Sequence, residues 1–161
     1  MHTQWDSFFL GELGAAAALA GLLVVAISIN IDQILRYSWL PSRAAATIAM
    51  LMGVVLMSGL ALVPEQSLRV LGCEVLALAV VIWAVFVRNQ IKARQVEGYA
   101  SAGSPNVQLL LEQAATVPPI IAGIVLVTDS SAGLGVLAAS FQAIFVAAVA
   151  NAWILLVEIR R

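Results

Sequence analysis

Five apolar runs, each about as long as a bilayer is thick, divide this chain, and its cations fall almost entirely in the gaps between them. The runs cover residues 7–31, 44–63, 67–87, 107–127 and 134–157. A helix rises 1.5 Å per residue and needs roughly 20 apolar residues to cross the hydrocarbon. Five such spans use about 100 residues and leave only short connectors and tails. The expectation is therefore one domain over 1–161: an all-α, polytopic membrane bundle of five transmembrane helices. Composition agrees, since 62% of residues are hydrophobic and 11% charged, where soluble chains carry about a quarter charged.

The net charge of −1 hides a segregation. With the N-terminus outside, the connectors at 32–43 and 88–106 and the C-terminal tail all lie inside. They hold Arg36, Arg43, Arg88, Lys92, Arg94, Arg160 and Arg161, leaving only Arg69 toward the other side. Lys and Arg in short loops set orientation, so the distribution predicts N-out, C-in. Trp39, Trp83 and Trp153 then fall near the inner interface and Trp5 near the outer one, as aromatic belts require. The first ten residues carry Asp6 but no Lys or Arg, so the first run is expected to stay as a membrane anchor rather than be cleaved as a signal peptide. Asp6 or Ser7 is placed to cap its opening turn.

Several function classes drop out. Cys73 is the only cysteine, which rules out an intrachain disulfide or redox pair and reads as a small core residue. His2 is the only histidine, so haem ligation and zinc or copper sites are not expected, and no metal or cofactor is assigned. The single lysine sits in a connector, no nucleophile–base–orienter set is visible, and no Gly-rich phosphate loop precedes a helix. The chain is read as a non-enzyme. No basic stripe with interleaved aromatics favours nucleic acid. Met50, Met52 and Met57 read as packing.

Polar residues inside the runs are the functional candidates, because a charge in hydrocarbon costs a few kcal/mol. Glu12, Arg69 and Glu74 fall toward the outer side and are expected to form an intramembrane ion pair, with Arg69 neutralising either carboxylate. The fourth run carries Glu112, Gln113 and Thr116 just before Pro118 and Pro119. Two prolines remove two backbone donors, which frees the carbonyls of Ala114 and Ala115 and is expected to bend the helix. Broken helices at membrane depth mark ion or substrate sites, so this segment is the ion- or proton-pathway candidate; the alternative is a kink with Glu112 paired to Arg36 or Arg88.

Small residues suggest where helices pack. Ala139, Ala143 and Ala147 recur every four residues and lead to Asn151, while Gly14, Ala18 and Gly21 form a seam on the first run. Gly53, Ser58 and Gly59 can serve likewise on the second. Asn30 and Asn151 lie at similar depth, so a direct bond between them is expected.

The stretches Phe8-Phe9-Leu10-Gly11-Glu12 to Ala26-Ile27-Ser28-Ile29-Asn30, Val63-Pro64-Glu65-Gln66-Ser67 with Leu71-Gly72-Cys73-Glu74, and Asn151-Ala152-Trp153 with Val157-Glu158 resemble small bacterial multi-pass membrane proteins of unassigned function. The resemblance implies a bacterial inner (cytoplasmic) membrane and transfers no activity. Two functions follow from the residues. One is a small homo-oligomeric ion or proton channel or transporter-like protein. The other is a non-catalytic accessory or scaffold subunit that binds another membrane protein.

Overall fold

A computed structural model of the chain describes residues 3–36, 40–93 and 105–156. They form six helices: α1 (Thr3–Ile29), a one-turn α2 (Ile31–Ile34), α3 (Leu40–Ala61), α4 (Leu68–Ala93), α5 (Pro105–Val127) and α6 (Ala132–Leu156). No strand occurs among the described residues. Trp39 and residues 94–104 and 157–161, with Arg94, Glu158, Arg160 and Arg161, lie outside them. Gln4–Ile29, Leu40–Ala61, Leu68–Ile91 and Ala132–Trp153 are long and apolar enough to cross a membrane, while the described apolar stretch of α5 is shorter, Glu112–Val127.

The helix starts depart from expectation where local chemistry permits. Residue α1 begins on is Thr3, so Asp6 and Ser7 lie inside the helix instead of capping it. Pro41 does not delay α3: it falls in the first turn, where its missing N–H would have had no partner. As a result Arg43, expected in a connector, is a helical residue. At the start of α4, Ser67 Oγ accepts from the Val70 N–H at 3.3 Å, an N-cap placed as capping physics requires. The turns before α4 and after α5 each use a left-handed residue, Glu65 (φ 58°) and Asp129 (φ 66°).

Antiparallel neighbours in sequence pack most extensively, α4 on α5 and α5 on α6, and α3 lies against α1, α6 and α4. Met50, Val54 and Met57 of α3, Val75 and Ala79 of α4, and Leu137, Phe141 and Ile144 of α6 fill the middle. Near the end carrying the two turns, the Phe9 and Phe141 rings meet edge-on with centroids 6.1 Å apart, and Trp5 stacks on Phe9 at 5.8 Å.

The close approaches use glycines other than the seam expected on α1. A Cβ on Gly72 of α4 would lie 2.5 Å from the Val127 nitrogen, and one on Gly123 of α5 would lie 2.9 Å from the Leu76 backbone. These two glycines let α4 and α5 touch backbone to backbone. Gly53 is also used, its Cβ position 2.9 Å from Ile82 Cδ1. Cys73 faces outward, not into the core: the buried stripe of α4 runs through Leu71, Val75 and Ala79, and Cys73 falls about 200° around from Leu71 at 100° per residue.

Candidate functional site

Three polar groups lie within the helices, and their partners are mostly side-chain amides. The first joins α4 to α5. Glu112 is buried, 6% exposed, and accepts a short hydrogen bond from Gln90 Nε2. One turn on, Thr116 Oγ1 donates to the Glu112 carbonyl at 2.7 Å. Trp83 Nε1 donates to Gln113 Oε1 at 3.1 Å, a second bond between the same two helices. Glu112 and Thr116 are thus buried one turn apart on α5, while the half-buried Gln113 beside them turns to Trp83.

Pro118 and Pro119 nevertheless sit inside one uninterrupted helix. Prolines are tolerated within buried helices because neighbours support the backbone that has lost donors, and α5 is held between α4 and α6. Pro119 and Thr116 face the middle of the bundle. They line, with Met50, Met57, Ala79 and Ile144 among others, a cavity of about 10 Å³, the lower limit of room for one water.

The second group joins α3 to α6. Arg43 is 7% exposed, and its Nε donates to Asn151 Oδ1 at 3.2 Å. Thr47 Oγ1 donates to the Arg43 carbonyl at 2.9 Å. Asn151 therefore takes a guanidinium partner, not Asn30 as expected. Asn30 Nδ2 instead donates to the Ala26 carbonyl, 2.8 Å away in its own helix, because Asn30 stands at the break between α1 and α2.

The third group corrects the expected Glu12–Arg69–Glu74 ion pair. Arg69 points off the bundle and pairs with Asp129 across the two turns, Nε to Oδ2 3.5 Å, with both side chains more than half exposed. Glu74 accepts from Gln66 Nε2, and Glu12 Oε1 accepts from Gln142 Nε2 of α6 at 2.8 Å. Each carboxyl thus has an amide donor close by, leaving the arginine to solvent at the turn. Among the described residues, Glu12 Oε2, Gln66 Oε1 and Ser58 Oγ are buried without a hydrogen-bond partner. An open crevice of about 230 Å³ at the same end is lined by Trp5, Asp6, Phe9, Glu65, Gln66 and Leu134 among others.

The exposed small residues of α1 and α6 lie on separate surfaces, since Gly14 and Gly21 stand about 160° and 180° around α1 from Glu12 at 100° per residue. Gly11, Gly14, Ala18 and Gly21 of α1 are exposed, as are Gly135, Ala139 and Gln142 of α6. A Cβ on Gly11, Gly14, Gly21 or Gly135 would meet nothing within 4 Å. The α1 seam Gly14, Ala18 and Gly21 therefore packs against no other described part of the chain. The α6 row does not share one face: Ala139 is exposed, Ala143 half-buried, Ala147 and Asn151 buried. A step of four residues turns a helix by about 40° beyond a full circle, so the row winds from the surface into the core.

Sequence reasoning missed Gln90, Gln142 and Gln66. The available signal was depth: at 1.5 Å per residue, Glu12 lies about 13 Å along α1 and Gln142 about 15 Å along α6, and both helices run in the same direction.

Among the described residues, no three His, Cys, Asp or Glu side chains come together as metal ligands. Comparison with protein-family models, with curated proteins and with solved structures found no match for this chain.

Proposed function

We propose that this chain is a non-catalytic subunit of a membrane assembly. It is a five-span bundle in a bacterial inner membrane, N-terminus outside and C-terminus inside, and the exposed face of α6 that carries Gln142 receives a transmembrane helix. The observation that carries the reading is Gln142, an exposed amide bonded to the half-buried Glu12 carboxyl partway along two apolar helices. Facing lipid, such a group is costly. Against another helix its remaining amide donor and oxygen make interhelical hydrogen bonds, and the exposed Gly135 and Ala139 on the same face of α6 allow the close backbone approach such contacts need.

Five spans are supported by the length of α5, 23 residues, about 34 Å at 1.5 Å per residue. The orientation is supported by the cations. The turns at 62–67 and 128–131 share an end, joined by Arg69 and Asp129, while Arg36, Arg43 and Arg88 belong to the opposite end, which the positive-inside rule assigns to the cytoplasm.

The test is native mass spectrometry from nanodiscs formed directly from membranes. Wild type should be ejected with at least one further polypeptide. Gly135→Leu combined with Ala139→Leu, both exposed on the Gln142 face of α6, should release it alone, and Ala77→Leu, on the exposed side of α4, should not. Ejection of wild type as a single free chain would overturn the reading.

The buried Gln90–Glu112–Thr116 group supports a second reading, an ion- or proton-handling bundle. It ranks lower because the Glu112 carboxylate is already held by Gln90 within the α4–α5 contact. Cation or proton flux into liposomes above background, lost in Glu112→Gln, would reverse the ranking.

A further inference from the structure

We infer that the crevice between the start of α1, the α3–α4 turn and the start of α6 binds an organic ammonium group. It lies where the apolar spans begin and end, so it is reached from the membrane edge. Its volume of about 230 Å³ falls below the roughly 300 Å³ at which small-molecule pockets commonly begin, so its occupant is a small group. Phe9, Leu71 and Leu134 are buried along it. Trp5 stacks on Phe9 and meets Phe8 edge-on, which holds the indole in place.

The charge of the lining has one sign. Asp6 and Glu65 supply carboxylates, and no Lys, Arg or His is among the described residues that line the crevice. Arg69, next in sequence to the lining Leu68, is turned to Asp129 instead. Gln66 donates its amide to Glu74 and leaves Oε1 buried without a donor. An ammonium brings the positive charge and the N–H groups that this wall lacks, the indole attracts cations, and the apolar floor suits the carbon next to the nitrogen. A metal ion would need several oxygen ligands, and among the described residues no three His, Cys, Asp or Glu side chains come together. The ammonium group can belong to a free amine or to an ethanolamine lipid head group. The site does not depend on the docking reading of the Gln142 face.

Fluorine NMR of the chain labelled with fluorotryptophan, in nanodiscs of phosphatidylglycerol, tests the assignment. The Trp5 resonance is the one lost in Trp5→Phe. Butylammonium chloride should shift it saturably, while butanol and potassium chloride at the same concentrations should not. The Trp83 resonance, far along α4 from the crevice, should stay in place and report an intact fold. Asp6→Asn combined with Glu65→Gln should raise the midpoint about thirtyfold, the loss of two contacts between unit charges in water-like surroundings. Exchanging part of the lipid for phosphatidylethanolamine assigns the source: a Trp5 shift without added amine, with a weaker response to butylammonium, marks the lipid head group, and an unchanged Trp5 resonance marks a free amine. A shift matched by butanol or potassium chloride, an unchanged midpoint in the Asp6→Asn, Glu65→Gln variant, or no Trp5 shift from either amine source overturns the inference.

Discussion

Replacing Gly72 or Gly123 with alanine should loosen the bundle, and the same change at Gly14 or Gly21 should not. Alanine gains about 1 kcal/mol over glycine within a helix through backbone entropy, so all four variants start with a similar advantage. What differs is the space. At Gly72 the new methyl would sit 2.5 Å from the Val127 nitrogen and 2.8 Å from the Leu126 carbonyl carbon; at Gly123 it would sit 2.9 Å from Leu76 N, Cα and Cβ. Most of these are backbone atoms, which cannot turn aside as a side chain would. Relief at Gly72 requires α4 and α5 to part by about 1 Å, a gap that forfeits a quarter to a half of the dispersion attraction along the seam. Overpacking of this kind costs about 1–3 kcal/mol, which outweighs the propensity gain. At Gly14 and Gly21 nothing lies within 4 Å, so the gain stands unopposed within one chain.

The propensity gain is common to all four, so the expected separation between the two pairs of variants is the overpacking cost, about 1–3 kcal/mol. Reversible unfolding in mixed micelles, titrated with a denaturing detergent and followed by circular dichroism, measures it under conditions where the chain is monomeric. A Gly72→Ala midpoint equal to or above that of Gly14→Ala would refute the backbone contact between α4 and α5.

Three further outcomes follow from the polar groups. Asn151→Leu removes the acceptor of the buried Arg43 Nε and should cost about 1–3 kcal/mol, with Asn151→Asp recovering most of it; equal unfolding midpoints for wild type and the leucine variant would discount the bond. Glu112→Leu strands the Gln90 amide in the α4–α5 interface and should destabilise by a similar amount, while Glu112→Gln, which keeps an acceptor, should lose less; the same titration decides. Arg69→Ala breaks an exposed ion pair, and exposed pairs contribute little, so its midpoint should stay at the wild-type value, and a fall comparable to that of Asn151→Leu would mean that the α3–α4 and α5–α6 turns are joined more firmly than the 3.5 Å contact implies.

Much of the architecture was legible because hydrophobic length is a strong signal. The run at 107–127 anticipates α5 within two residues, and 134–157 anticipates α6 as closely. Partners were harder to read because charge suggested the wrong ones. Arg69 invited pairing with Glu12 or Glu74, yet helix geometry carries it to the surface beside Asp129. The acids are served by Gln66, Gln90 and Gln142, which carry no charge to attract notice. Arg43 was hidden by Pro41, read as a connector residue although the first turn of a helix accepts proline.

The glycines expose a deeper limit, and it bears on function. In water, the inward face of a helix announces itself because the outward face is polar. Lipid tails are as apolar as a protein core, so Gly14 and Gly72 look alike in sequence, although one meets open space and the other a backbone. Only a polar atom breaks that equivalence, since it must find a partner whichever way it faces. Gln142 does so on the exposed side, bonded to Glu12 with one amide donor and its carbonyl oxygen to spare. Gly135 gains meaning from it: without Gln142 it would be an ordinary lipid-facing residue, and with it the same face of α6 carries a polar group that a neighbouring helix can satisfy and lipid tails cannot.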